Sequence, residues 1–218
     1  MPYSLEHHLL FIHIPKTGGT SVEQALGMFG DWQVENKATL FGLIQDPDFL
    51  RRAWGSAFLQ HLTFDEIHQV WSFPGAHVLC CVRNPWARFA SVYQNLDTHL
   101  EQTAADLGIQ LNGLTFPEFV DATHGLVHAH LRPQVDYLPS PSSVGQLIYL
   151  MRTESLARDF QEVCHELGLQ LSLPWANRSP HREPWSKLYS LKTWDVIGER
   201  YHQDVKHFGY QHFMLSDL

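Results

Sequence analysis

A short loop near the start of the chain combines the residue types that bind anions. It reads His13-Ile-Pro-Lys-Thr-Gly-Gly-Thr-Ser21, with the apolar run Leu9–Ile12 before it and the helix-like segment Val22–Leu26 after it. A strand, a glycine turn and a helix start bring several backbone N–H groups and the helix dipole to one point. The two glycines let the main chain approach a ligand closely, and the lysine adds a positive charge. The pattern predicts a phosphate-binding loop.

The order of residues in this loop differs from that of an ATP-binding Walker loop. A Walker loop carries glycine before and beside its lysine, with a magnesium-binding hydroxyl directly after it. Here Lys16 precedes both glycines. Thr20 or Ser21 is expected to cap the following helix. An ATP-dependent small-molecule kinase, which would need a set of magnesium ligands, stays open as an alternative enzyme.

A second motif follows the apolar run His77–Val82, which is typical of a buried parallel strand. It reads Arg83-Asn-Pro-Trp-Ala-Arg-Phe-Ala-Ser-Val-Tyr93, in which Asn84 is a good helix cap and the proline suits the first helical position. Arg83 at the strand end and Ser91 two turns along the helix are predicted to hold one phosphate from two sides.

Helical periodicity assigns the side chains of this second helix to two faces. Phe89, Val92 and Leu96 share the face expected to enter the core. Arg88 and Asn95 fall on a neighbouring face together with the serine of the motif. The arginine is therefore expected to share the face of the helix that carries Ser91.

The two motifs, in this order, resemble those of sulfotransferases that use 3′-phosphoadenosine 5′-phosphosulfate (PAPS), especially the carbohydrate type related to heparan sulfate 2-O-sulfotransferases. The resemblance implies transfer of a sulfuryl group to an acceptor hydroxyl, with 3′-phosphoadenosine 5′-phosphate (PAP) as product and no metal required. It implies that Arg83 and Ser91 bind the 3′-phosphate. It assigns the 5′-phosphosulfate to the first loop, at Lys16, Thr17, Gly18, Gly19, Thr20 and Ser21.

The resemblance also implies roles outside the two motifs. The segment Gln60-His-Leu-Thr-Phe64 is similar to the family's His-x-(Ser/Thr)-Phe segment, which makes His61 the catalytic base, while Lys16 assists the leaving oxygen. Asn177-Arg-Ser-Pro-His181 resembles a loop that closes over the nucleotide through Arg178 and Ser179. The Pro-Gln segment Leu131–Leu138 resembles part of the acceptor site, which suggests His130 and Gln134 as substrate-binding residues.

Apolar runs alternate with helical patterns along the whole chain. The predicted strands are Leu9–Ile14, Ser56–Gln60, Val78–Val82 and Gln146–Met151. Capping-box spacings at Thr63 and Thr115, and a cap at Thr153, predict three helix starts. The expected fold is α/β: a P-loop-like three-layer α/β/α domain with a central parallel sheet, spanning residues 1–218 as one domain. Ligands of such sheets bind at the carboxyl ends of the strands.

Charge and cysteine content restrict the partners and the compartment. A net charge of −8 argues against nucleic acid and favours a neutral or lightly charged acceptor. A glycan or a glycosylated metabolite is the favoured acceptor; a non-sugar hydroxyl compound and a tyrosine side chain stay open. A catalytically silent nucleotide-binding module stays open as an alternative to an enzyme.

The chain has three cysteines without a disulfide framework and no apolar run long enough to span a bilayer. These features predict a soluble cytoplasmic protein, of bacterial type. His124, His128 and His130 lie close in sequence, but Gly125 breaks the helix that would align them as metal ligands.

Overall fold

The computed structural model describes residues 3–4, 6–27, 59–70, 75–139, 147–174 and 184–211. They divide into two units, one within Met1–Arg83 and Asp136–Arg178, the other within Asn84–Val135 and Ser179–Leu218. Each unit contains its own cluster of buried apolar side chains. The prediction of a single domain over residues 1–218 stays a prediction.

The first unit is built on a four-stranded sheet. Its strands are β1 (Tyr3–Ser4), β2 (Leu9–Ile12), β3 (His77–Val82) and β4 (Ile148–Arg152), in the order β1-β2-β3-β4. β2, β3 and β4 are parallel, so their carboxyl ends lie at one edge of the sheet. β1, a strand that the sequence analysis did not predict, pairs antiparallel with β2 and makes the sheet mixed.

Helices occupy much of the rest of the described chain. They are α1 (Gly19–Ala25), α2 (Phe64–Val70), α3 (Pro85–Gln94), α4 (Thr98–Ala105), α5 (Phe116–Ala122), α6 (Leu156–Glu166), α7 (Leu191–Arg200) and α8 (His202–Phe208). Together with the sheet they confirm the predicted α/β class. None of the helices in the described residues is both long and apolar enough to cross a membrane.

The core of the first unit explains why its strands are almost continuously apolar. One face of the sheet packs against Val22 of α1, against Leu26 directly after this helix, and against Phe160 and Val163 of α6. The alternate strand residues, which point to the other face, are buried as well: Leu10, Ile12, Val78, Cys80 and Val82. A sheet that is covered on both faces needs apolar residues at successive positions rather than at every second one.

Three predicted strands are confirmed, with ends shifted by one or two residues. The fourth, Ser56–Gln60, is wrong at the residues that the structure describes. Gln60 lies in a 3₁₀ turn, Leu59–His61, and not in a strand. The remaining residues of the predicted strand, Ser56–Leu59, are described only at Leu59. A short apolar segment does not distinguish a strand from a tight helical turn by its periodicity alone.

Local capping signals predicted several helix starts. Asn84 caps α3 by accepting hydrogen bonds from the N–H groups of Trp86 and Ala87, as expected. The capping box at Thr63 is confirmed by reciprocal hydrogen bonds with Glu66. Thr115 forms the same motif with a glutamate three residues on. These signals succeed because both partners lie within one turn.

Thr153 does not cap a helix as predicted. It lies in a 3₁₀ turn, Thr153–Ser155, and the residue before α6 is Ser155. The hydroxyl of Thr153 instead donates to the main-chain oxygens of Thr17 and Val82, at 2.7 and 3.1 Å. The hydroxyl therefore forms hydrogen bonds with distant segments of the chain instead of capping the adjacent helix.

The second unit is helical and has an aromatic core. Trp86 of α3 stacks on Trp194 of α7, with ring centroids 4.5 Å apart, and its indole N–H donates to the main-chain oxygen of Trp194. Tyr189 donates from its hydroxyl to the main-chain oxygen of Trp86. Phe89 and Val92 are buried in the same cluster, as the helical periodicity predicts, and Leu96 packs against it.

Candidate functional site

The loop between β2 and α1 adopts an unusual backbone conformation. Lys16 has φ +68°, in the left-handed region, and Gly18 has φ +84° as the residue before α1. A non-glycine residue in the left-handed region costs about 1–2 kcal/mol, and such strain often marks a functional loop. α1 starts at Gly19 without a side-chain cap, so the expected capping by Thr20 or Ser21 is wrong. Both hydroxyl residues are half-buried in the first turn.

The carbonyl groups of this loop accept hydrogen bonds from the protein. The hydroxyl of Thr17 donates to the oxygen of Ile14 at 2.8 Å. The oxygen of Thr17 accepts from the Thr153 hydroxyl and from the Cys81 thiol, the latter at 2.9 Å. Burial raises the pKa of Cys81 to about 12, so it stays a thiol that can donate. The side chain of Thr17 is fully buried, and its hydroxyl maintains the shape of the loop.

Arg83 and Lys16 are in direct contact. Arg83 follows the carboxyl end of β3, and its Nη1 donates to the main-chain oxygen of Lys16 at 3.2 Å. Both residues are half-buried. The two sequence motifs therefore meet at the edge of the sheet where the parallel strands end.

The two glycines of the loop are required for different reasons. At Gly18 a side chain would be strained by the positive φ, and its Cβ would lie 3.2 Å from Cδ2 of Leu156. At Gly19 a Cβ would lie 2.6 Å from two atoms of the His13 ring, which is closer than real Cβ contacts come. The His13 ring thus packs directly against the first residue of α1. Only glycine allows this approach.

A buried polar cluster that the sequence analysis missed lies beneath the loop. Glu23 of α1 is fully buried, and its carboxylate accepts hydrogen bonds from Nδ1 of His13 and from Nε2 of Gln60. Gln60 Nε2 lies 2.9 Å from both carboxylate oxygens. One signal was available: Glu23 lies three residues before the apolar Leu26, a spacing that places two side chains on one face of a helix.

His61, the predicted base, lies beside this cluster. Its Nδ1 is 3.3 Å from the main-chain oxygen of His13, and the two imidazole rings pack edge to face with centroids 5.1 Å apart. A carbonyl oxygen only accepts, so Nδ1 of His61 carries the proton and Nε2 is the nitrogen that can accept one. The structure therefore brings His61 to the segment that leads into the phosphate loop.

The remaining predicted site residues belong to the second unit or lie outside the described residues. Ser91 lies half-buried on α3 in the second unit. Arg178 and Ser179 lie outside the described residues. His130 and Gln134 are buried in the second unit, where Gln134 donates from its backbone and its side chain to the carboxylate of Asp204. Substrate contacts of these five residues stay predictions.

Arg88 of α3, which was predicted to share a face with Ser91, has a structural role. It is almost fully buried, and its guanidinium donates to the main-chain oxygens of Arg132 and His130 at 2.9 and 3.3 Å. Tyr201 donates from its hydroxyl to the oxygen of Leu131 in the same segment. Buried carbonyl groups need donors, and Arg88 supplies one to His130 and one to Arg132.

His128 has a structural role in the second unit. It precedes the 3₁₀ turn Ala129–Leu131, and its Nδ1 accepts a hydrogen bond from the N–H of His130. Burial lowers the pKa of His128 to about 4, so the ring is neutral near pH 7. Within the part of the chain that the structure describes, no group of three or more His, Cys, Asp or Glu side chains is arranged to hold a metal ion.

Comparison with known proteins gives one match. The model of the sulfotransferase family matches residues 3–211. No curated protein and no solved structure shows significant similarity to the chain. The match covers nearly all of the chain, including the strained loop at Lys16, the contact with Arg83 and the turn that carries His61. The chain therefore belongs to the sulfotransferase family.

Proposed function

We propose that this sulfotransferase uses PAPS as donor and sulfates a hydroxyl group of a carbohydrate or a glycosylated metabolite. The observation that carries the proposal is the meeting of three features in the first unit. These are a loop with glycines at a helix start and a lysine, an arginine in contact with that loop, and a histidine whose Nε2 is the proton-accepting nitrogen. An anionic donor and a hydroxyl acceptor need this combination of groups.

The loop supplies the binding groups for the phosphosulfate. Backbone N–H groups at the start of α1 and the Lys16 ammonium favour a ligand of negative charge. Gly18 is exposed and leaves the main chain accessible where a side chain would be strained, whereas Gly19 makes room for the His13 ring. Arg83 and Ser91 are assigned to the 3′-phosphate by the resemblance of their motif, and Arg178 and Ser179 to closing the nucleotide site.

Proton transfer and charge stabilisation are divided between His61 and Lys16. When bound, PAPS supplies the sulfuryl group, which passes to the acceptor oxygen as its bond to the bridging phosphate oxygen breaks. Nε2 of His61 takes the proton of the acceptor hydroxyl. Lys16 stabilises the negative charge that develops on the leaving oxygen. The hydrogen bond from Nδ1 of His61 to the His13 oxygen keeps the ring in the tautomer that can accept this proton.

The acceptor class and the compartment follow from charge and cysteine chemistry. A net charge of −8 supports a neutral or lightly charged acceptor rather than a highly sulfated polymer. Cys80, Cys81 and Cys164 are all buried free thiols. Free thiols support a reducing compartment, and we infer the cytoplasm.

The test is calorimetric titration of the purified protein with PAP, with ADP and with ATP plus magnesium. We expect PAP to bind at least about tenfold more tightly than either competitor, since a charge-assisted phosphate contact contributes about 1.5–3 kcal/mol. Preference for magnesium-ATP would overturn the proposal and favour a kinase. Binding of PAP without transfer from PAPS to any acceptor of a saccharide and phenol panel would favour the silent module.

Variants then test the roles of the two catalytic residues. His61→Ala should abolish transfer while leaving PAP affinity near that of the wild type, and Lys16→Ala should lower both. Exposed residues of the same type, changed in His124→Ala and Lys192→Ala, serve as matched controls and should leave both unchanged. Transfer at the wild-type rate in His61→Ala would move the base to another residue.

A further inference from the structure

We propose that Glu23 is a positioning residue that sets the orientation and tautomer of His61, an inference that rests on the proposed role of His61 as base. Glu23 belongs to α1, the helix whose start forms the phosphate loop. Its carboxylate is fully buried and accepts hydrogen bonds from two residues far apart in sequence, His13 and Gln60. Gln60 precedes His61 in the chain, and the main-chain oxygen of His13 accepts a hydrogen bond from His61.

The first connection runs through Gln60, the residue before His61. A carboxylate only accepts hydrogen bonds, so the amide of Gln60 must present its nitrogen to Glu23, as its 2.9 Å distances to both oxygens indicate. This hydrogen bond fixes the 3₁₀ turn Leu59–His61 against α1. The backbone position of His61 is thereby tied to the helix of the phosphate loop.

The second connection runs through His13. Its Nδ1 donates to Glu23, and its ring is held on the other side by the close approach of Gly19. With the ring fixed at two points, the main-chain oxygen of His13 is fixed as well. That oxygen accepts the hydrogen bond from Nδ1 of His61. Glu23 thus determines both the position of the turn and the acceptor that selects the tautomer.

The burial of a carboxylate needs a reason. Removing a carboxylate from water is costly even when it is hydrogen-bonded, and an apolar residue of similar size would often be as stable. A fold that needed only a filled position under α1 would therefore be served equally well by a leucine or a methionine. A carboxylate is required if the position must orient two donors whose neighbours take part in the reaction.

The test compares Glu23→Gln with Glu162→Gln, an exposed glutamate on α6 of the same unit. The first readout is the tautomer of His61, from long-range ¹H–¹⁵N NMR correlations of histidine-labelled protein, with His61→Ala identifying the signals. We expect the proton on Nδ1 in the wild type and in Glu162→Gln. In Glu23→Gln we expect a shift toward the Nε2–H form, which a neutral histidine side chain prefers in water. An unchanged His61 tautomer in Glu23→Gln would overturn the proposal.

The second readout separates positioning from stability. Per folded molecule, kcat of Glu23→Gln should fall about 10–100-fold, because small misplacements of a catalytic group have effects of this size. The rate is measured with PAPS and the saccharide that reacts fastest in a screen. The dissociation constant of PAP should stay within about threefold of the wild type. Adding Glu23→Gln to His61→Ala should lower the residual rate no further.

The outcomes distinguish this inference from the proposed function. If His61→Ala abolishes transfer but Glu23→Gln keeps the wild-type kcat, the base assignment stands and the positioning role is wrong. If His61→Ala transfers normally, the base assignment itself fails. If Glu23→Gln does not fold, Gln60→Met removes one donor to the carboxylate and leaves the His13 contact. It should then lower kcat with the PAP dissociation constant unchanged, and an unchanged kcat would overturn the proposal.

Discussion

Nη1 of Arg83 donates a hydrogen bond to the main-chain oxygen of Lys16 at 3.2 Å, across 67 residues of sequence. The arginine that follows β3 thus holds the residue of the phosphate loop that has a left-handed backbone. Its side chain therefore affects the loop directly, apart from any contact with a 3′-phosphate.

Replacing Arg83 should consequently weaken the binding of two kinds of ligand, one with and one without a 3′-phosphate. In Arg83→Ala we expect the affinity for PAP to fall about 10–100-fold, as for a lost charge-assisted phosphate contact. The affinity for adenosine 5′-phosphosulfate, which has no 3′-phosphate, should fall by a smaller factor, about 2–10-fold, through the lost hydrogen bond to the loop. Calorimetry measures both, with the exposed Arg158→Ala as control. An unchanged affinity for adenosine 5′-phosphosulfate would show that Arg83 does not shape the loop.

Because Lys16 has a left-handed backbone, two substitutions that lower activity equally should differ in stability. Lys16→Gly and Lys16→Ala both remove the ammonium group and should both lose most transfer activity. Glycine adopts φ +68° without strain, whereas alanine does not. In urea unfolding we therefore expect Lys16→Gly to be about 1 kcal/mol more stable than Lys16→Ala. Equal stabilities would argue against strain at this residue.

The contact between Gly19 and His13 can be tested by a pair of substitutions. Gly19→Ala should destabilise the protein by about 1–3 kcal/mol, because its Cβ would clash with the His13 ring. In the background of His13→Ala the same substitution should cost much less, since the ring is absent. Urea unfolding of the wild type, the two single variants and the double variant gives the coupling free energy between Gly19 and His13. Additive effects would contradict the contact.

His128 should make the second unit less stable in mild acid. Its folded-state pKa of about 4 lies below the usual histidine value of about 6.5, so the unfolded chain binds the proton first as the pH falls. Stability is therefore unaffected above about pH 6.5 and decreases below it. We expect a loss of about 2 kcal/mol between about pH 7.5 and pH 5 from this residue.

The variant His128→Asn keeps a side-chain acceptor for the N–H of His130 and removes the titrating ring. Its free energy of unfolding should decrease less with falling pH than that of the wild type, by the amount assigned to His128. Burial raises the pKa of Asp204, which acts in the opposite direction, but this effect is common to both proteins and cancels. Parallel pH profiles would show that His128 titrates normally.

Sequence patterns predicted the local parts of this protein well. The helix starts at Asn84 and Thr115 depend on hydrogen bonds within one turn, and the buried strands depend on runs of apolar residues. The phosphate loop was identifiable because its residue types and its place between a strand and a helix are both local. Its cap was misassigned, since Gly18 in a left-handed conformation replaces a hydroxyl cap.

Polar contacts between distant segments could not be predicted in the same way. Helical spacing placed Arg88 on the face of Ser91 but did not show that it is buried against the carbonyls of residues 130 and 132. Charged residues are usually exposed. Glu23 was overlooked for the same reason, because its partners at positions 13 and 60 come together only in the folded sheet. The turn at His61 was mistaken for a strand end, yet its location near the edge was anticipated.

The hydrogen bonds that occupy the carbonyl groups of the phosphate loop have a consequence for ion selectivity. The oxygens of Ile14, Lys16 and Thr17 accept from side chains of the protein, and that of Gly18 accepts from the N–H of Ser21. Each of these donors partly neutralises an oxygen that would otherwise attract a cation. A loop whose carbonyl oxygens accept hydrogen bonds and whose N–H groups face a ligand selects ligands by the sign of their charge. We therefore expect the loop to bind an anion in preference to hydrated magnesium.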